Sequence, residues 1–173
     1  MMRLLGLLLR STRGAAAVEM ALVTPLLLII MMGSFELGNY FMNEHKLVKA
    51  VRDGARFAGR QALGSFDCSA GPTPSGTVVP DTQNVVKTGL YSGGSARIAN
   101  WTSTTVSVTY TCATTAGGQN MLGIYRGSAG ASVGAPIVTV SASVLYQPVL
   151  ASFDFRGVGY NLNARQQAAV MGL

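Results

Sequence analysis

Glu19 is the one ionisable side chain in an apolar run that begins at Ala15 and ends at Phe35. About 20 apolar residues are what a helix needs to cross a hydrocarbon core of roughly 30 Å. A charge inside such a span costs about 2.5–3.5 kcal/mol on insertion scales, so it normally has a partner and a role. The spacing from Gly14 names one partner. A cut between Gly14 and Ala15 would leave an α-amino group one helical turn before Glu19. That cation suits a carboxylate in a low-dielectric setting, within one chain or between neighbours. The other pair with chemistry is Cys68 and Cys112. In an oxidising compartment two such cysteines form a disulfide, here closing a loop of about 45 residues that constrains the unfolded chain.

Catalytic constellations are missing from the sequence. There is no G-x-S-x-G elbow, Walker loop or H-E-x-x-H, and Gly157-Val158-Gly159 lacks the third glycine of a dinucleotide site. The acids outside the span sit singly, so no carboxylate pair is expected. His45 is the one histidine, which argues against a metal site. The reading is a non-enzyme without cofactors. The net charge of +6 raises nucleic acid as a partner. The cations are divided among the N-terminal stub, the helix after the span and scattered loops, without interleaved aromatics, and nucleic-acid binding is not expected.

Arg3, Arg10 and Arg13 precede the span with no acid among them. Cations beside a span stay on the cytoplasmic side, so the N-terminus should lie inside and everything after Phe35 outside. A cleaved secretory signal fits poorly. The apolar run exceeds the usual signal core of about 7–15 residues, and no A-x-A-like site follows it. A simple uncleaved anchor carrying a binding or adhesion module remains the alternative.

Gly14, the small residues Ala15 to Ala17, Glu19 and the apolar run that follows resemble a type IV prepilin signal. The resemblance implies that a membrane prepilin peptidase cuts between Gly14 and Ala15 and that Glu19 supports subunit assembly. Glu36-Leu37-Gly38, then Lys49-Ala50-Val51-Arg52-Asp53-Gly54-Ala55-Arg56-Phe57-Ala58, resembles the TadE-like pseudopilins of tight-adherence (Flp) pilus systems. That likeness covers about residues 13 to 60. It implies a minor pilin or assembly subunit in the bacterial inner membrane, single-pass, with an extracytoplasmic C-terminal domain. Its implied partners are the membrane, the peptidase, other pilin or pseudopilin subunits and pilus assembly proteins.

These residues need a scaffold. The expected fold class is α+β: a long N-terminal transmembrane and amphipathic helix followed by a small antiparallel β-sheet domain. Residues 1–14 read as a leader, 15–63 as one long helix (span 15–35, continuation 36–63), and 64–173 as an extracytoplasmic β-rich domain. Pro25 should kink the helix within the span. Beyond it Leu37, Phe41, Glu44, Val48, Val51, Ala55, Ala58 and Ala62 recur at steps of four and three, a seam widened by Tyr40 and Leu47. Such a face packs either on the protein's own sheet or on neighbouring subunits. Arg52, Arg56 and Arg60 form a basic ridge that Asp53 partly neutralises through Lys49 and Arg56. The ridge is either a solvated face or a docking surface.

Downstream, residues 64–79 read as loop and 81–88 as a short helix stopped by Gly89. Strands are expected over 104–112 and 137–146 from alternating β-branched residues. Residues 113–134 read as mostly Gly/Ser/Ala loop, and 160–170 as either a third strand or a terminal helix.

Overall fold

The computed structural model describes residues 12–68, 71–99, 101, 105–116, 119–120, 134–150 and 159–172. One helix, α1 (Thr12–Gly59), takes up 48 residues. A 3₁₀ turn at Leu63–Ser65 follows, then α2 (Val78–Thr88). Strands β1 (Val106–Ala113), β4 (Ala135–Leu145) and β5 (Asn161–Ala169) make an antiparallel sheet of order β1-β4-β5. Between β1 and β4, two-residue strands β2 (Thr115–Ala116) and β3 (Gln119–Asn120) pair with each other. They lie inside the stretch expected as loop, most of which lies outside the described residues. The α+β architecture with a long N-terminal helix agrees with the expectation.

Helix α1 runs unbroken through Pro25. Proline there removes one backbone hydrogen bond, and nearby hydroxyls turn inward to the backbone. Thr24 Oγ1 donates to the Met20 carbonyl at 2.6 Å, and Ser34 Oγ to the Ile30 carbonyl at 2.8 Å. These i to i−4 bonds turn both hydroxyls back onto the helix's own backbone.

The helix ends at Gly59, four residues short of the expected 63. Arg60 and Gln61 already bond back by three residues, to the Phe57 and Ala58 carbonyls. Met171 N donates to the Gly59 carbonyl at 2.8 Å, so the end of the sheet takes over where the helix stops. A Cβ on Gly59 would lie 2.9 Å from the Ala169 carbonyl oxygen and 3.3 Å from Ala168 Cβ. The glycine lets helix and strand backbones meet.

The sheet's inner face supplies Val106, Val108, Tyr110, Val138, Val140, Ala142, Val144 and Leu162, all buried. Against it α1 buries Leu47, Ala50, Val51, Ala55 and Ala58. This differs from the expected seam at both ends: Leu37 and Phe41 are 55% and 52% exposed, and Ala62 lies past the helix and is exposed too. A seven-residue seam drifts by roughly 20° per heptad around a straight helix. Over three heptads it cannot stay on one flat sheet, so the early seam residues turn away. Between α1 and α2 the contact is closer still, since a Cβ on Gly54 would sit 2.1 Å from Val86 Cγ2.

Helix α2 begins at Val78 rather than Asp81. Pro80 falls in the first turn, where its missing N–H is no loss. Gly89 ends the helix at φ +85°, in the left-handed region that favours glycine.

The segment expected as bare loop is tied to β1 along its length. Cys68 and Cys112 form a disulfide with Cα atoms 5.9 Å apart. Tyr110 N donates to the Pro72 carbonyl at 2.8 Å, and the Tyr110 hydroxyl to the Asp67 carbonyl. Phe66, 4% exposed, meets the Tyr110 ring edge-on at 5.4 Å.

Two outcomes test this packing. Because Phe66 and Tyr110 hold the segment alongside the disulfide, Cys68→Ser should cost about 2 kcal/mol, the low end for a native bridge. Thermal unfolding should fall by roughly 10 °C, with more proteolysis between Gly64 and Thr77. Gly54→Ala should destabilise the protein despite the helix-propensity gain of about 1 kcal/mol, because overpacking typically costs about 1–3 kcal/mol. Combined with Val86→Ala, it should be more stable than the two separate losses add up to; strict additivity in thermal unfolding would contradict the contact.

Candidate assembly interface on the long helix

The residues singled out in the sequence fall into three tiers along α1. At its start Gly14, Ala15 and Glu19 are all helical and exposed. Among the described residues, nothing outside the helix's own backbone and the adjacent residues comes within 4 Å of a Cβ placed on Gly14. Glu19 has no hydrogen bond or ion pair among the described residues. Ala15 and Glu19 are four residues apart and therefore share a helix face. The half that follows is strongly apolar, and its most apolar stretch is left wholly unburied by the described residues. Leu22, Ile29 and Phe35 are each about 70% exposed. The helix is long and apolar enough to cross a membrane, and such a surface needs a non-aqueous covering.

The second tier is the exit from the apolar half. Gly33 and Gly38 bracket it, and glycine in a helix interior costs about 1 kcal/mol relative to alanine. A polar clamp lies between them. The Tyr146 hydroxyl, at the end of β4, donates to Glu36 Oε1, and Asn39 Nδ2 donates to it at 2.9 Å. Leu150 N donates to Glu36 Oε2 at 3.0 Å. Tyr40 stacks edge-on against Tyr146 at 5.3 Å. Both carboxylate oxygens of Glu36 are thus used to fasten the segment after β4 to the helix. Burial first, and the hydrogen bond to Glu36 second, push the Tyr146 phenol up to about 12. Burial and then Glu44 raise Tyr40, and burial and then Asp67 raise Tyr110.

Glu36 was visible as the acid after the apolar run; Tyr146 and Asn39 as its partners were not. The available signal was a tyrosine closing an apolar strand, whose hydroxyl needs a polar neighbour when the ring is buried.

The third tier is the distal half. Val51, Ala55 and Ala58 are buried in the protein's own core and Val48 is half-buried, whereas Leu37, Phe41, Arg52 and Arg56 are exposed. Asp53 does not neutralise the ridge as expected. It pairs with Arg97 at 3.0 Å, both side chains about one-third exposed. That pair fastens the turn after α2 to α1 and leaves Lys49, Arg52, Arg56 and Arg60 exposed. The described residues contain no group of three His, Cys, Asp or Glu side chains placed to hold a metal.

The clamp predicts an alkaline dependence. A phenol whose folded pKa lies above the unfolded value of about 10 stabilises the fold fully below pH 10. That share is lost as pH rises towards 12. In the detergent-solubilised protein one tyrosine should therefore ionise near pH 12, and Tyr146→Phe should remove it. The same substitution should cost about 1–2 kcal/mol by leaving Glu36 and Asn39 without their shared partner. An unchanged tyrosinate titration would contradict the clamp.

Comparison with known proteins bears on the same helix. No curated protein and no solved structure matches the chain. Residues 14–56, from the glycine at the expected cut to Arg56 of the ridge, match the family model described as TadE-like protein. That stretch, about a quarter of the chain, carries the first tier and most of the helix residues of the other two, and it is similar to TadE-like proteins.

Proposed function

We propose that this protein is a pseudopilin-like minor subunit needed to assemble a tight-adherence (Flp) type IV pilus. A TadE-like segment links the chain to such pilus systems in a structural rather than a catalytic capacity. The observation that carries the proposal is the coincidence of that segment with a helix whose apolar half none of the described residues covers. In this reading the N-terminus is cytoplasmic and the sheet domain extracytoplasmic, with α1 crossing the inner membrane once. The basic N-terminal flank supports that orientation, and the disulfide is at home in an oxidising compartment.

A prepilin peptidase removes the leader after Gly14. The new α-amino group of Ala15 then stands one turn before Glu19 and pairs with it, in the same or an adjacent subunit. The exposed state of Glu19 supports this, since a carboxylate left alone at the edge of a span is costly. Recruitment proceeds through α1. The rival reading, a single-pass anchored adhesion module, shares the helix and the domain but has no use for the cut.

Sequencing the N-terminus of membrane-extracted protein from cells with the cognate peptidase should give Ala15. An intact leader would support the rival reading. Glu19→Ala should leave membrane insertion intact or improved, because it removes the costly charge from the span. Crosslinking to other pilus subunits and pilus-dependent adhesion should fall. Unchanged adhesion would mean that Glu19 has no assembly role.

A further inference from the structure

Besides Lys46, exposed cations along the end of α1 and at Arg60, one residue past it, remain without a use. Lys49, Arg52, Arg56 and Arg60 follow one another at steps of three, four and four, so they share one side of the helix. That side is opposite the buried stripe of Leu47, Ala50, Val51, Ala55 and Ala58. All four are exposed. The one acid of α1 at this level, Asp53, is committed to Arg97. We infer that these four cations are a docking strip for an acidic helix of a different polypeptide, running parallel to α1.

Three occupants can be weighed on geometry and charge. Lipid headgroups are too far away. At 1.5 Å per residue Lys49 stands about 21 Å beyond Phe35, and Arg60 about 37 Å. Headgroups reach only about 5–8 Å past the hydrocarbon. Even a helix tilted by about 40° keeps Lys49 roughly 16 Å out.

A second copy fails on charge. Parallel copies meeting on this side would set four cations against four. Nor do the described residues carry a complementary face, for Glu19, though exposed, stands about 45 Å before Lys49 along α1. Glu36 is held by Tyr146 and Leu150, Glu44 bonds Tyr40, Asp53 holds Arg97, Asp67 is engaged, and Asp81 is half-buried in the first turn of α2.

A helix of another chain remains, and the level below the strip favours one. Phe41 and Met42 are 52% and 59% exposed on the same side, and below them the apolar half is bare. A parallel helix can follow both levels, apolar first and acidic above, with acids at matching steps of three and four. A loop or a compact domain could meet only one level.

The inference uses the pilus reading solely to choose which neighbours to co-express. The test is zero-length carbodiimide coupling, which joins a lysine amine directly to a carboxylate. It is applied to the full-length protein in native membranes, with Arg56→Lys as a second reporter beside Lys49. The expected result is links from both lysines to acids three, four or seven residues apart in one helix of another chain.

The triple variant Arg52→Glu, Arg56→Glu, Arg60→Glu should lower the yield at Lys49 at least about ten-fold, since like charges facing across an interface repel. Lysines at the mapped acids should restore the complex. Proteolysis of the variant in membranes should match that of the parent, because the strip is exposed. Links confined to a second copy, an absence of links, or a yield indifferent to charge reversal would overturn the inference. Piliation unaffected by deletion of this chain would instead sink the pilus reading, while the link map would still decide the docking strip.

Discussion

The apolar half of α1 has nothing among the described residues to cover it, and the rest of the structure follows from that constraint. The chain gives its longest element to a helix that is apolar below and amphipathic above. Only the upper part has a partner inside the chain. The sheet, α2 and the tied segment at 63–77 assemble around the buried stripe from Leu47 to Ala58, where small residues allow close approach. Gly54 and Gly59 mark the two tightest points, one against Val86 and the other against the end of β5. Burial of about 25 cal/mol per Å² of apolar surface thus works on two separate surfaces. One is satisfied within the chain and the other only outside it.

Between the two surfaces the helix passes through a stretch bounded by two glycines, Gly33 and Gly38, and there the Glu36 clamp fastens the sheet domain to it. The clamp uses a carboxylate, a phenol, an amide side chain and a backbone N–H, each answered by another. Its effect is to fix how the domain is carried by the helix. A docking strip on the far side of α1 is useful only if that orientation holds.

Much of this was legible in the sequence, for identifiable reasons. A run of apolar residues with one charge announces a span by length alone, and β-branched alternation announced β1 and β4. The disulfide followed from a pair of cysteines beyond the span. β5 was ambiguous because Asn161–Ala169 is rich in Gln, Ala and Arg, which favour helix. Its strand state comes from the open edge of β4 and from Gly59, which accepts only small residues such as Ala168 beside it. The packing face of α1 was misplaced at Leu37 and Phe41 because a heptad pattern does not say how far a sheet will reach. Asp53 was assigned to its own helix because Arg97, its actual partner, lies 44 residues away, beyond any local rule.

The account stands on α1 being one continuous helix that leaves the apolar zone with the sheet domain clamped to it. Hydrogen exchange of the full chain reconstituted in a bilayer measures this directly. The prediction is unbroken backbone protection from Gly33 through Asn43, lowered around Gly33–Gly38 when Glu36 is changed to Ala. Rapid exchange over Gly33–Gly38 in the unaltered protein, with protection resuming only near Leu47, would mean a hinged anchor and would contradict it.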